Sequence, residues 1–266
     1  MFDSIAGDYD ALNHILSLDV DKIWRKKALK QIVDAPAPVQ VLDLACGTGD
    51  FSIAIAKALS RSHKRVVTPI EAHVKASVKA PVEAQVTSTG FVTGDSGRSD
   101  LMTKGHVTGV DLSEGMLAVM REKVAKAGLT EMISIEEGDG ENLRFPDNTF
   151  DRVTIAFGIR NFENREKGLR EMLRVLKPGG RLVILELSRP ENKVIRWFYD
   201  LYFLHILPKI GGKVSGDKAA YAYLPASVAA FPGKKAFMAT MREAGFRTVT
   251  HKAFTLGICR MYTGEK

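Results

Sequence analysis

The sequence predicts an α/β fold, a doubly wound, mostly parallel seven-stranded sheet with one antiparallel edge strand. Three observations predict it. Short runs rich in Val, Ile and Leu alternate with longer segments of helical period along the chain. The first run ends in a turn with two glycines, Gly47 and Gly49, and a helix starts at once. The last two runs follow each other almost without a break, so they read as a hairpin. Alternation of this kind implies right-handed crossovers and puts ligands at the carboxyl ends of the strands.

The elements follow in order. Val39–Leu44 is the first strand and Phe51–Leu59 the first helix. His106–Val110 is the second strand, and the helix after it, Glu114–Ala127, is capped by Ser113 and stopped by Gly128. Met132–Glu136 and Phe150–Ala156 are the third and fourth strands. The helix Glu163–Leu176 begins near Asn164, and Lys177-Pro178-Gly179-Gly180 halts it. Arg181–Leu187 is the fifth strand, Lys234–Ala244 a further helix, and Arg247–Lys252 and Thr255–Met261 the hairpin strands, separated by Ala253-Phe254.

The chain is 266 residues long, 45% apolar and 26% charged, as expected of one globular domain with decorations. No run approaches the roughly 18 apolar residues of a membrane span, and the start of the chain lacks the pattern of a secretory signal. A cytoplasmic protein, placed if anything at the inner face of the membrane, is expected. Cys46 and Cys259 are expected to be reduced thiols, with Cys46 a small packed side chain rather than a nucleophile. The net charge of +7 and pI near 9.3 favour an anionic partner, nucleic acid or a phospholipid surface. The basic residues are scattered in small clusters such as Lys22-Arg25-Lys26-Lys27-Lys30, so solvation explains them as well as recognition does.

Two segments break the rhythm. An insertion at about 61–105 alternates Ala and Val with polar residues from Ala72 to Thr87, fitting either a mobile insertion or an edge hairpin. Its histidines lack the spacing of metal ligands. The second segment, Val194–Leu207, is apolar almost all round. It is either a helix packed on the sheet or a lid gripping an apolar substrate, its outer face against a bilayer.

The chemistry concentrates in Asp43-Leu44-Ala45-Cys46-Gly47-Thr48-Gly49-Asp50. Glycines here let backbone approach a ligand. Ser52 stands where a dinucleotide fingerprint needs its third glycine, and no Gly-Lys-Ser/Thr follows, so this is neither that motif nor a phosphate loop. Asp43 and Asp50 flank the turn and would repel a pyrophosphate. They suit a cationic ligand such as the sulfonium and amino group of S-adenosylmethionine (SAM). Asp111, at the end of the second strand, is placed to accept ribose hydroxyls, or else to assist the next helix N-terminus. Met116 can cover an adenine face, and Asp139, past the third strand, can accept from an adenine amino group. The fourth strand runs into Phe157-Gly158-Ile159-Arg160-Asn161 at the ligand edge.

With Asp111-Leu112-Ser113, Phe145-Pro146-Asp147-Asn148-Thr149-Phe150-Asp151 and Leu176-Lys177-Pro178-Gly179-Gly180, the glycine turn resembles that of class I SAM-dependent methyltransferases, a Rossmann-like fold. Four further motifs are similar to the ubiquinone/menaquinone biosynthesis C-methyltransferase family. They are Met1-Phe2-Asp3-Ser4-Ile5-Ala6-x-x-Tyr9-Asp10-x-Leu12-Asn13, Phe157–Asn161, Phe203-x-x-x-Leu207-Pro208-Lys209-Ile210-Gly211 and Phe254-Thr255-x-Gly257. The likeness covers nearly all of the chain outside the insertion. It implies one domain over 1–266 with a substrate cap at about 191–232, and SAM-dependent C-methylation of a polyprenylated quinol, preferably demethylmenaquinol to menaquinol. Methylation of a ubiquinol precursor is the alternative. By the same likeness Thr48, Asp111, Asp139 and Gly140 fall on SAM-contacting positions; the chemistry of the glycine turn itself adds Asp43, Gly47 and Gly49 as expected cofactor-binding residues. Gly140 stands for the family's commoner alanine, a mild change if backbone makes the contact, and Ala156 for a serine.

Arg160 and Asn161 are the candidate catalytic residues. Arg160 stays protonated and can stabilise a quinol oxyanion, with Asn161 orienting the same oxygen. A salt bridge from Arg160 to Glu163 or Glu166 is the plainer reading. Asp8, Tyr9, His14 and His205 are open choices for a base. No metal is expected, since methyl transfer from a sulfonium depends on proximity and charge placement. The expected partners are the lipophilic quinol and a transient membrane surface, without nucleic acid, and a homodimer is compatible. An RNA methyltransferase and a catalytically silent SAM-binding assembly subunit are the competing functions.

Overall fold

The structure is a computed structural model that describes residues 20–34, 39–61, 105–202 and 218–266. A seven-stranded sheet runs β3-β2-β1-β4-β5-β7-β6. Its strands are β1 (Gln40–Leu44), β2 (His106–Asp111), β3 (Ile133–Glu137), β4 (Phe150–Ala156), β5 (Leu176–Leu187), β6 (Arg247–Phe254) and β7 (Cys259–Glu265). The first five pair in parallel, and β7 is antiparallel to both β5 and the outermost strand β6. The expected antiparallel edge is therefore a hairpin whose second strand is slotted inward against β5.

The helices are α1 (Val20–Ile32), α2 (50–61), α3 (Glu114–Lys126), α4 (Arg165–Val175), α5 (Lys193–Leu201), α6 (Lys218–Ala230) and α7 (Lys234–Glu243). They cover both faces of the sheet. On one face Trp24 and Ile32 of α1, Phe51 and Ile55 of α2, and Leu117 and Met120 of α3 pack with Val41 and Val183. On the other, Leu169 and Met172 of α4 and Phe237 and Met241 of α7 pack with Leu42, Ile155, Ile184 and Tyr262. Central strands buried on both sides read as continuous apolar runs rather than alternating ones, which is why β1 and β4 were plain in the sequence. A third, small cluster joins α5 to α6 through Tyr199 and Val228 at the cap.

Local chemistry fixes the boundaries. The Ser113 hydroxyl accepts the Met116 N–H, and Gly128 follows α3 at φ +64°. Asn164 caps α4 by accepting the Lys167 N–H. Two helices escaped the sequence reading. In α1 the buried Trp24, Ala28 and Ile32 recur every fourth residue among lysines, so a helical stripe was taken for a charge cluster. Helix α6 carries Pro225 in its interior, which masks its period.

Strand boundaries need correction. Strand β5 starts at Leu176, directly after α4 and paired with Phe150, so Lys177-Pro178-Gly179-Gly180 lies inside the fifth strand and not before it. Phe254 is still paired with Cys259, and the hairpin turn is Thr255–Gly257, so the last strand starts at Cys259 and not at Thr255. Thr255, Leu256 and Gly257 all take positive φ there, held by a Ser188 hydroxyl that donates to the Gly257 carbonyl at 2.7 Å. Period-two patterning gives no sign of such a turn. The bulk of the insertion at about 61–105 lies outside the described residues, as do residues 203–217 of the cap.

Ile155, fully buried in β4 next to the ligand edge, tests how far the core sets the fold. Truncation to alanine should cost about 2–5 kcal/mol in urea unfolding. A loss below about 1 kcal/mol would show that this strand is not the packed centre described.

Candidate functional site

A cavity of about 350 Å³ opens at the carboxyl ends of β1, β2, β3 and β4. That size is within the range of about 300–1,000 Å³ usual for small-molecule sites. Gly47 lines it after β1, Asp111 and Leu112 after β2, Gly138–Glu141 after β3, and Ala156, Phe157, Gly158 and Asn161 after β4, with Met116 from α3.

The glycine turn is built around Asp111. The Gly47 N–H donates to Asp111 Oδ2 at 2.8 Å and the Ser113 N–H to Oδ1 at 2.9 Å. These two bonds orient the carboxylate at the mouth of the turn. Gly47 and Gly49 sit at φ +56° and +82°, and a Cβ on Gly49 would stand 2.4 Å from Met120 Cγ. Only glycine fits there.

After β3, Asp139 accepts the Glu141 N–H at 2.8 Å and points its loop along the cavity wall. Gly140 is more constrained than the sequence suggested. A Cβ there would lie 2.6 Å from the Phe162 ring, and one on Gly168 would meet the same ring at 2.5 Å. Phe162 is wedged between the two glycines, so alanine at 140 would displace it.

The other members of the glycine turn support it from outside the cavity. Asp43 is buried beneath the turn, accepting the Ser52 hydroxyl at 2.6 Å. Burial pushes its carboxyl up to about 7, against the Ser52 bond and the Arg25 charge, which lower it. Thr48 accepts from the Lys123 ammonium at 3.3 Å. Asp50 is paired with the same Lys123 and with Arg25. Burial raises its carboxyl, but these two cations outweigh it and hold it below its ordinary range. The acidic residues that line the cavity itself include Asp111, Asp139 and Glu141.

Arg160 and Asn161 form the turn Ile159–Asn161, and the structure separates them. Asn161 lines the cavity. Arg160 turns away into a buried ion pair with Glu186 of β5 at 2.8 Å, in place of the expected Glu163 or Glu166. Its Nε also donates to Ser227 Oγ at 3.3 Å, and its Nη1 to the Phe157 carbonyl. Glu186 was missed because a lone glutamate in an apolar strand carries no local signal; its burial at 0% exposure marks it. Tyr223 of α6, also missed, donates to Asn161 Oδ1 at 2.9 Å. The candidate bases Asp8, Tyr9, His14 and His205 lie outside the described residues. Cys46 is packed against Met120, and burial together with the Asp43 and Asp111 charges pushes its thiol up. Among the described residues no group of three His, Cys, Asp or Glu could hold a metal.

The donor set fits SAM. It offers carboxylates for hydroxyl and amino groups, backbone at two open glycines, and a thioether on an otherwise apolar wall.

Comparison with known proteins agrees. The model of the ubiE/COQ5 methyltransferase family matches residues 1–266. A demethylmenaquinone methyltransferase of Bacteroides fragilis is 39% identical, over 100% of this chain and 91% of that one. A ubiquinone/menaquinone biosynthesis C-methyltransferase UbiE of Geobacter sulfurreducens is 43% identical, over 100% and 87%. Among solved structures, a SAM-dependent methyltransferase from Thermotoga maritima shares the fold at TM-score 0.57 and 17% identity, over 100% of this chain and 98% of that one. A phosphoethanolamine N-methyltransferase of Haemonchus contortus in complex with SAM does so at 0.55 and 14%, over 92% and 52%.

Asp43 makes a pH prediction. Burial raises its carboxyl above the ordinary value of 3.8, so the folded state keeps this proton to higher pH than the unfolded chain. The stabilisation is complete below about pH 4 and is lost as pH rises through about 7. Asp43→Asn removes the titration. Its melting temperature should therefore gain on wild type by a few °C between pH 5 and 7.5, and a gap independent of pH would count against a buried, titrating Asp43.

Proposed function

Because the chain belongs to the ubiE/COQ5 methyltransferase family, we propose that demethylmenaquinol is its substrate and menaquinol its product. It is a SAM-dependent C-methyltransferase of quinone biosynthesis. The observation that carries the reading is the meeting of two chemistries in one cavity. Acidic residues after β2 and β3 face Asn161 and the apolar Phe157 after β4.

Asp111 and Asp139 would hold the nucleoside, with the Gly47 and Gly140 backbone beside them. Bound SAM supplies an electrophilic methyl on a sulfonium. The chain's own part is to place and activate the ring. Asn161 would bond the quinol oxygen next to the methylated carbon and stabilise it as charge develops. Arg160 acts as a positioning residue, since its guanidinium is committed to Glu186. It fixes the turn that carries Asn161, and its loss would leave the buried Glu186 charge without its counterion.

The cap supports delivery from a lipid surface. On α5, Val194, Trp197, Phe198 and Leu201 are 66%, 61%, 60% and 39% exposed. Their spacing of three and four puts them on one helical face, while Tyr199 is buried against α6. An exposed apolar stripe of this kind, next to Lys193 and Arg196, suits an anionic phospholipid interface, where a prenylated quinol resides. No helix among the described residues is long and apolar enough to cross a membrane.

Purified protein with labelled SAM should transfer label to demethylmenaquinol in detergent, giving a product one methyl heavier by mass spectrometry. Label entering only a ubiquinol precursor, only RNA, or nothing would overturn the assignment. Arg160→Ala should destabilise the fold by about 3–5 kcal/mol in denaturant titration, and an unchanged midpoint would show the ion pair to be idle. On vesicles containing phosphatidylglycerol, Trp197→Ser with Phe198→Ser should lower partitioning at least tenfold. Equal partitioning of the double variant would remove the membrane-facing role of α5.

A further inference from the structure

Helix α6 touches the turn after β4 at two adjacent residues through one of its faces. Tyr223 and Ser227, four residues apart, meet Asn161 and Arg160 respectively. The Tyr223 hydroxyl donates to Asn161 Oδ1 at 2.9 Å, and Ser227 Oγ takes the Arg160 Nε–H at 3.3 Å. The backbone of Asn161 is fixed separately, its N–H donating to the Gly158 carbonyl at 3.0 Å. What Tyr223 adds is control of the side chain.

That control matters because a carboxamide has two faces. Its oxygen accepts and its nitrogen donates, and rotation by half a turn exchanges them. Asn161 lines the cavity beside Phe157 and Gly158. A quinol carbon becomes a nucleophile as the neighbouring hydroxyl gives up its proton, and the resulting oxyanion needs donors. An acceptor in that place would repel it.

We propose that Tyr223 is a positioning residue that locks the Asn161 amide with its oxygen toward α6, so that its N–H donors meet the ring oxygen of the substrate. The pair thereby selects a substrate oxygen in its deprotonated form. The cap helix also contributes directly to activation, since the turn has the correct amide only when α6 is docked. This rests on the reading of the reaction given above, and its test keeps the two apart.

Tyr223→Phe keeps the ring and removes only the hydroxyl. In quinol turnover it should lower kcat by roughly tenfold, the worth of one net hydrogen bond, with the KM for SAM unchanged. In an Asn161→Ala background the same change should cost nothing further, because Tyr223 acts through Asn161. The rise of kcat with pH should also move to higher pH in Tyr223→Phe, since the ring hydroxyl ionises less readily without its donor. Costs that multiply in the double variant, or a kcat that falls equally at every pH, would overturn the proposal. A second readout needs no substrate. The side-chain amide signals of Asn161 in a nitrogen–proton spectrum, identified by their loss in Asn161→Ala, should shift in Tyr223→Phe. Unshifted signals sink the amide lock whatever the enzyme methylates, whereas shifted signals with no quinol turnover in wild type fault the assigned reaction instead.

Discussion

The buried ion pair between Arg160 and Glu186 is the constraint on which the ligand edge depends. Removing two charges from water costs several kcal/mol per ion, so such a pair is retained only where its geometry is saturated. Here it is. Glu186 takes the Arg160 guanidinium, the Arg160 backbone N–H at 3.1 Å and the Leu187 N–H at 2.7 Å. Arg160 in turn binds the Phe157 carbonyl and Ser227. The turn after β4, strand β5 and helix α6 are thereby tied to one point. The net gain in stability from such an arrangement is small compared with a hydrophobic substitute. Its value is positional, because it adds a charged anchor to a turn already held by the buried Ile159 and by the Phe157 N–H bond to the Leu185 carbonyl at 2.7 Å.

The same logic explains the glycine turn on the opposite side of the cavity. Asp111 is fastened by two backbone N–H groups from two strand ends, so a carboxylate is held at the sheet edge. The countercharges sit behind it, where Lys123 and Arg25 are matched to Asp50. Positive charge supports the loop from outside, and negative charge is left to face the ligand. A cationic donor enters a field prepared for it, and a pyrophosphate would meet repulsion.

How much of this could be read beforehand follows from the range of each interaction. Strand β4 was placed to the residue, and Ser113 and Asn164 were found at their helix starts, because burial on both faces and capping are written within a few residues. The cavity-lining set of Gly47, Asp111, Asp139, Gly140 and Asn161 was likewise legible, since each residue follows directly on a strand or opens the next helix. Asp43 and Asp50 were assigned by proximity in sequence, but Lys123 and Arg25, partners distant in sequence, engage Asp50, while Asp43 takes the Ser52 hydroxyl. Glu186 and Tyr223 were invisible for the opposite reason. They lie 26 and 62 residues from the partners that give them meaning, and neither stands in a motif that its own neighbours define.

Phe162 shows how such distant fitting makes a site particular to its chain. Its ring lies between Gly140 of the cavity loop and Gly168 of α4, too close to either to admit a side chain. The ring belongs to the segment that follows Asn161, so the loop after β3 and the turn after β4 are packed as one body across the cavity. A change at Gly140 would therefore be felt at Asn161 through the displaced ring, without either residue touching the other. The wall after β3 and the wall after β4 are mechanically joined. Shape on one side of the cavity is set by packing on the other.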